Sequence, residues 1–119
     1  MRRTRVAIVS ERLGTRVAVA EVADTPVSRM VGLLGRRRLE PGTGLVLVPC
    51  RSVHTCFMHF AIDVAFLRRD GTVVRAAPEL QPFRLASGGR DAWLALELPP
   101  GTLEATGTRP GDRLRCGPL

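Results

Sequence analysis

Between Ile62 and Leu67 every side chain except Asp63 is apolar. A run of this length and pattern makes a strand whose two faces both need cover, so it belongs in the middle of a sheet or between two layers. Arg68-Arg69-Asp70-Gly71 follows and Thr72 to Ala77 comes after it. Gly tolerates the positive φ of a tight hairpin turn, so the second run should return antiparallel to the first.

The remaining punctuation extends the same pattern. Arg5 to Ser10 and Thr15 to Val22 are short Val- and Ala-rich runs around Glu11 to Gly14, predicting a second hairpin. Asp24 and Thr25 before Pro26 make a helix start, Met30, Leu33 and Leu34 keep helical spacing, and Gly35 supplies a stop. Leu45 to Val48, Ser52 to Phe60, Ala92 to Leu98 and Arg113 to Cys116 are further strand candidates. Pro78 and Pro82 mark an irregular stretch running to Gly88-Gly89, and Thr102 to Thr106 has room for one helical turn. At 119 residues the chain suits a single domain. The expected class is mostly β: a jelly-roll-like β-sandwich or barrel with one short helix and small helical insertions.

All eighteen basic residues are arginine, giving a net charge of +7. Nine of them fall in residues 1–40 against four acids, so the excess is concentrated there. Arg36, Arg37 and Arg38, with Arg2, Arg3 and Arg5, form a candidate patch for phosphate groups or an acidic partner. Four Phe and one Trp leave little for single-strand base stacking, so nucleic acid is not the favoured partner. After the basic start, Val6 to Val9 is too short for the apolar core of a secretion signal, and no stretch reaches membrane-span length. A cytoplasmic protein is the expectation. Cys50, Cys56 and Cys116 form no CxxC pair and suit a reducing compartment.

Several blocks in order resemble the domain of unknown function 192 family. They are Arg29-x-x-Gly32-Leu33-Leu34-Gly35-Arg36-x-x-Leu39, Gly44-Leu45, Val53-His54-Thr55-x-Phe57-Met58-x-Phe60-x-Ile62-Asp63-Val64-x-Phe66-Leu67, Asp70-Gly71, Leu96-Glu97-Leu98 and Gly111-Asp112. The resemblance runs from about Val6 to Arg115 and implies a jelly-roll-like sandwich without a settled activity. Cys50 to Thr55 is similar to a branch carrying Cys-x-x-Val-His-Thr. Where the commoner pattern has an aromatic-Met-Lys-Asn-Thr stretch, this chain has Phe57-Met58-His59-Phe60-Ala61, so no role for that Lys or Asn carries over. Some family members carry export signals and are linked to the cell envelope or to pilus systems, which implies such a link as an expectation.

Three kinds of site follow. The leading expectation is a non-enzymatic ligand-binding or accessory module with a pocket around His54, Thr55, Met58 and Asp63, near Arg29 and Arg36. Asp63, a carboxylate in an apolar run, should be paired or hydrogen-bonded if buried, with Arg29 the favoured partner. The alternative is metal or thiol chemistry. If Cys50 to Met58 is one strand, Cys50, His54, Cys56 and Met58 share a face, and their soft donors suit Cu(I), with Zn for a Cys/His subset. The third is electrostatic binding of nucleic acid or an acidic partner through Arg36 to Arg38. No residue is assigned as catalytic, because His54 and Cys56 are too far apart along a strand for a tight hydrogen bond, and hydrolase and nucleotide motifs are absent.

Overall fold

A computed structural model of the chain describes residues 4–25, 39–56 and 58–119. Among the described residues, the strands are β1 (Thr4–Ser10), β2 (Arg16–Ala23), β3 (Thr43–Leu47), β4 (Ser52–His54), β5 (Ile62–Leu67), β6 (Val73–Leu80), β7 (Leu85–Ser87), β8 (Leu94–Leu98) and β9 (Leu114–Gly117). A helix, α1 (Thr102–Thr106), precedes β9. Seven strands form one sheet in the order β6-β5-β8-β3-β2-β1-β9, while β4 and β7 pair as a separate ribbon. The large sheet curls into a half-barrel, so the fold is mostly β and barrel-like as the strand pattern requires. The helix expected over Pro26 to Gly35 lies outside the described residues.

Strand β5 occupies the position its composition demands. All six of its residues are buried, and it is flanked by β6 on one side and β8 on the other. Alternation sends its side chains to two cores. Ile62, Val64 and Phe66 join Leu45, Leu47, Val53, Met58 and Ala95 on one face. Ala65 and Leu67 join Ile8, Val46, Leu96, Leu98, Leu103 and Leu114 on the other. The β4–β7 ribbon, through Val53 and Ala86, helps cover the first of these faces. The pair β2–β3 is parallel, an arrangement that a tight turn cannot connect.

Three boundaries differ from expectation for physical reasons. Strand β6 runs past Pro78 to Leu80 because it is the sheet's edge, where a missing N–H leaves no ladder bond unmade. Ser52 to Phe60 is not one strand, since only Ser52–His54 is extended. There the buried Thr55 hydroxyl donates to the Gln81 carbonyl and accepts from the Arg84 amide at 2.9 Å. That pins the chain to the 81–84 turn and ends the strand. Strand β7, inside the stretch expected to be irregular, pairs Ser87, Ala86 and Leu85 with Ser52, Val53 and His54.

The two edges of the sheet meet at one end. Thr72 and Arg113 form an isolated bridge, the Val73 amide donates to the Asp112 carbonyl at 2.8 Å, and the Leu114 amide to the Gly71 carbonyl at 2.9 Å. Gly71 has φ 91°, and a Cβ there would collide with the Leu114 carbonyl oxygen. Asp112 holds the other side, accepting from Arg12 Nε at 2.7 Å, Arg12 Nη2 at 3.1 Å and the Arg109 amide at 3.1 Å. The Arg12 fork keeps the Asp112 carboxyl below its ordinary range. Gly71→Ala is expected to cost at least about 2 kcal/mol in denaturant unfolding, whereas Gly89→Ala should cost only about 1 kcal/mol. Both glycines have positive φ, but nothing lies within 4 Å of a Cβ at Gly89, so the difference isolates the closure contact.

Candidate anion-binding groove

The closed end of the half-barrel gathers arginines from separate parts of the chain. Arg68 and Arg69 follow β5 in the tight turn, where the Arg68 amide donates to the Thr72 carbonyl at 2.9 Å and the Gly71 amide to the Arg68 carbonyl at 3.0 Å. Trp93 lies just before β8, its amide donating to the Leu67 carbonyl at 2.7 Å and its carbonyl accepting from Cys50 at 2.8 Å. The Arg69 guanidinium carbon stands 3.9 Å from the centroid of the Trp93 ring, a cation–π contact. Arg51 is held through its carbonyl by the Gly88 amide at 2.7 Å. Gly88 itself sits so close to Phe66 that an added Cβ would come within 2.5 Å of that ring's Cγ. This close approach draws the turn bearing Arg90 down onto β5.

Arg51, Arg68, Arg69 and Arg90, with Trp93, line a groove of about 480 Å³. Among the described residues the ion pairs are Arg12–Asp112, Arg109–Asp112, Arg113–Glu11 and Arg115–Glu11, so none engages these four arginines. Asp70 borders the groove, but its Oδ1 accepts from the Thr72 amide at 2.9 Å, and that bond holds the carboxyl below its ordinary range. The groove therefore sets four planar donor forks against two carboxylates, Asp70 and Asp91, a net positive lining that suits carboxylate or phosphate oxygens.

The residues singled out from sequence are dispersed. His54 is exposed on the ribbon opposite Leu85. Thr55 and Met58 are buried below it. Asp63 is wholly buried on the opposite face of the sheet, where Oδ1 accepts from the amides of Glu79 at 2.8 Å and Gly101 at 3.2 Å, and Oδ2 from Leu103 at 2.8 Å. Its partners in the described residues are backbone amides. It thereby caps α1, whose Gly101 has no side chain to do so. Cys50 donates its thiol to the Ser52 carbonyl at 3.1 Å, and Cys56 is half-buried. With β4 only three residues long, the single-strand geometry that would align Cys50, His54, Cys56 and Met58 does not hold. Among the described residues no group of three or more His, Cys, Asp or Glu side chains is placed to hold a metal. Arg29, Arg36, Arg37 and Arg38 lie outside the described residues.

Glu97 is the residue that sequence reading missed. It is 4% exposed in β8, between Leu45 of β3 and Val64 of β5 in register, and no donor reaches it among the described residues. Burial pushes its carboxyl up from 4.5 to about 7. A lone acid in the apolar run Leu94 to Leu98 was the available signal, the same one that drew attention to Asp63.

The two buried carboxylates should respond oppositely to amide substitution. Asp63→Asn places an N–H where an acceptor is needed and should cost about 2–3 kcal/mol in unfolding free energy. Glu97 holds its proton longer folded than unfolded, so its contribution becomes unfavourable as pH rises from 4.5 to about 7. Glu97→Gln should leave stability nearly unchanged near pH 4 and raise it by up to roughly 3 kcal/mol near pH 8. Parallel denaturant titrations at the two pH values check both.

Comparison with known proteins gives a consistent picture. The family model described as "Uncharacterized ACR", domain of unknown function 192, matches residues 8–116. A UPF0127 protein of Pyrococcus furiosus is 38% identical over 98 residues, covering 77% of this chain and 81% of that protein. A crystal structure from Sinorhizobium meliloti 1021, provisionally described as a transcription regulator, superposes with a TM-score of 0.85 at 24% identity, covering 98% of this chain and 96% of that one. A protein of unknown function from Novosphingobium aromaticivorans superposes with a TM-score of 0.80 at 21% identity, covering 95% and 84%. At these identities the two structures establish a shared fold.

Proposed function

The chain belongs to the domain of unknown function 192 family, and from its own geometry we propose that it is a non-enzymatic binding module that takes an anionic group in the arginine groove beside Trp93. The observation that carries this is the convergence of Arg51, Arg68, Arg69 and Arg90 on one groove with no ion pair among the described residues. Like charges held together repel, and no ion pair among the described residues offsets that repulsion. A bound carboxylate or phosphate offsets the repulsion and accepts from several guanidinium donors at once. Four guanidinium groups against two carboxylates leave the groove net positive, which draws an anion toward it.

The same geometry favours binding over catalysis. The lining supplies fixed donors, an aromatic ring and two aspartates, and one aspartate is already bonded to the turn it belongs to. A nucleophile beside its base would have supported a reaction. Phosphate is also the chemistry of a nucleic-acid backbone, which would suit the provisional description of the Sinorhizobium structure. One face of Trp93 is already covered by Arg69, so recognition here would rest on charge more than on base stacking.

Trp93 is the chain's single tryptophan and reports on the site directly. Titration with inorganic phosphate or pyrophosphate should change its fluorescence saturably, and affinity should fall as salt rises. Arg51→Ala and Arg90→Ala are each expected to weaken binding about 10-fold, a loss of about 1.4 kcal/mol. Arg16→Ala, on β2 away from the groove, should leave it unchanged. Equal affinities in all three variants would contradict the proposal.

A further inference from the structure

A second groove adjoins the first along Arg68, Arg69 and Asp70 and encloses about 500 Å³. Its origin is the one-ended closure of the sheet. Beyond the Thr72–Arg113 bridge, β9 stays with β1, pairing Cys116 with Ile8 and Arg115 with Val9. Strands β5 and β8 meet their shared end at Leu67 and Leu94, which pair with each other. Residues of both pairs of strands line the second groove. Its apolar lining includes Val9 and Leu94, both half-buried, and the buried Ala7 and Leu67. Its rim is basic.

The arginines of that rim are not equivalent. Arg113 donates through Nε to the Asp70 carbonyl at 2.8 Å and stands 3.9 Å from Glu11, while Arg115 lies 3.7 Å from the same Glu11 carboxylate. Arg68 and Arg69 enter no ion pair among the described residues and form the ridge shared by both grooves. An anion seated on that ridge has donors on one side and an apolar trough on the other. We infer that the second groove holds the hydrocarbon chain of a single-chain anionic amphiphile whose phosphate or carboxylate head sits on Arg68 and Arg69. The inference rests on the anion-binding reading and adds the ligand's class to it. The trough's volume lies within the range of small-molecule sites, and each buried methylene strengthens binding in proportion to the apolar area removed from water.

Methyl, butyl and octyl phosphate share one head group and differ only in chain length, and octyl phosphate is used below the concentration at which it forms micelles. With Trp93 fluorescence and calorimetry as readouts, affinity should rise along the series, octyl phosphate binding at least about 10-fold more tightly than methyl phosphate. Val9→Phe fills the trough without adding charge, so it should remove that gain and leave methyl phosphate affinity as it was. Leu94→Gln, which keeps the trough open but makes its floor polar, should reduce the gain in the same direction. Equal binding of methyl and octyl phosphate would overturn the amphiphile inference while leaving the anion reading standing. A chain-length gain that persists in both variants would also overturn it, since the chain would then lie elsewhere. Octyl phosphate affinity indifferent to Arg68→Ala and Arg69→Ala would remove the anion reading together with the inference.

Discussion

The meeting of the sheet's two edges at Gly71 and Leu114 is the constraint on which the rest of the molecule depends. A seven-stranded antiparallel-rich sheet with two open edges would expose unpaired amides on both β6 and β9. Curling until Thr72 reaches Arg113 pairs the edges at one end. Because Gly71 offers no Cβ, the Leu114 carbonyl can approach its backbone, and because Asp112 is clamped by Arg12, the turn before β9 is held where its carbonyl meets Val73. The same closure brings the β5–β6 turn and the start of β9 together. The arginines of these two segments, dispersed in sequence, become neighbours on one rim.

Two buried acids show how differently the fold treats similar side chains. Asp63 lies opposite a bulge, where Ile62 pairs with Leu80 but Val64 pairs with Ala77, and the one surplus residue of β6 lets the Glu79 amide reach its carboxylate. The amides of Gly101 and Leu103 complete the set. One side chain thus joins the central strand, the edge strand and the start of α1, and its burial is repaid in hydrogen bonds. Glu97, one strand away on the opposite face, sits between Leu45 and Val64 with no such set among the described residues. Its charged form is disfavoured by burial alone, which makes it the principal local conflict in the described core.

Much of the architecture was legible in the sequence because strand length, alternation and turn residues agree locally. Ile62 to Leu67 has the bounds and double-sided burial its composition demanded, and Asp70-Gly71 makes the expected tight turn between β5 and β6. The candidate groove was hidden for a different reason. Arg51, Arg68, Arg69 and Arg90 are brought together by a close approach of Gly88 to Phe66 and by backbone bonds to Trp93 and Arg51, which no local pattern encodes. His54, Thr55 and Met58 attracted attention because polar and soft residues interrupt an apolar stretch. Thr55 uses its hydroxyl to fasten a turn, and Met58 fills the core beneath it. Thr55 and Met58 thus each have structural work, while the function proposed rests on arginines that looked like part of a bulk charge excess.

The central claim, that four particular guanidinium groups form one anion site, is tested most directly by following arginine side-chain Nε–H resonances while inorganic phosphate is added. The account predicts progressive, saturable shifts at Arg51, Arg68, Arg69 and Arg90 with a common dissociation constant, and unmoved signals at Arg12 and Arg109, whose groups are engaged with Asp112. Small, non-saturating shifts spread evenly over all exposed arginines would contradict it.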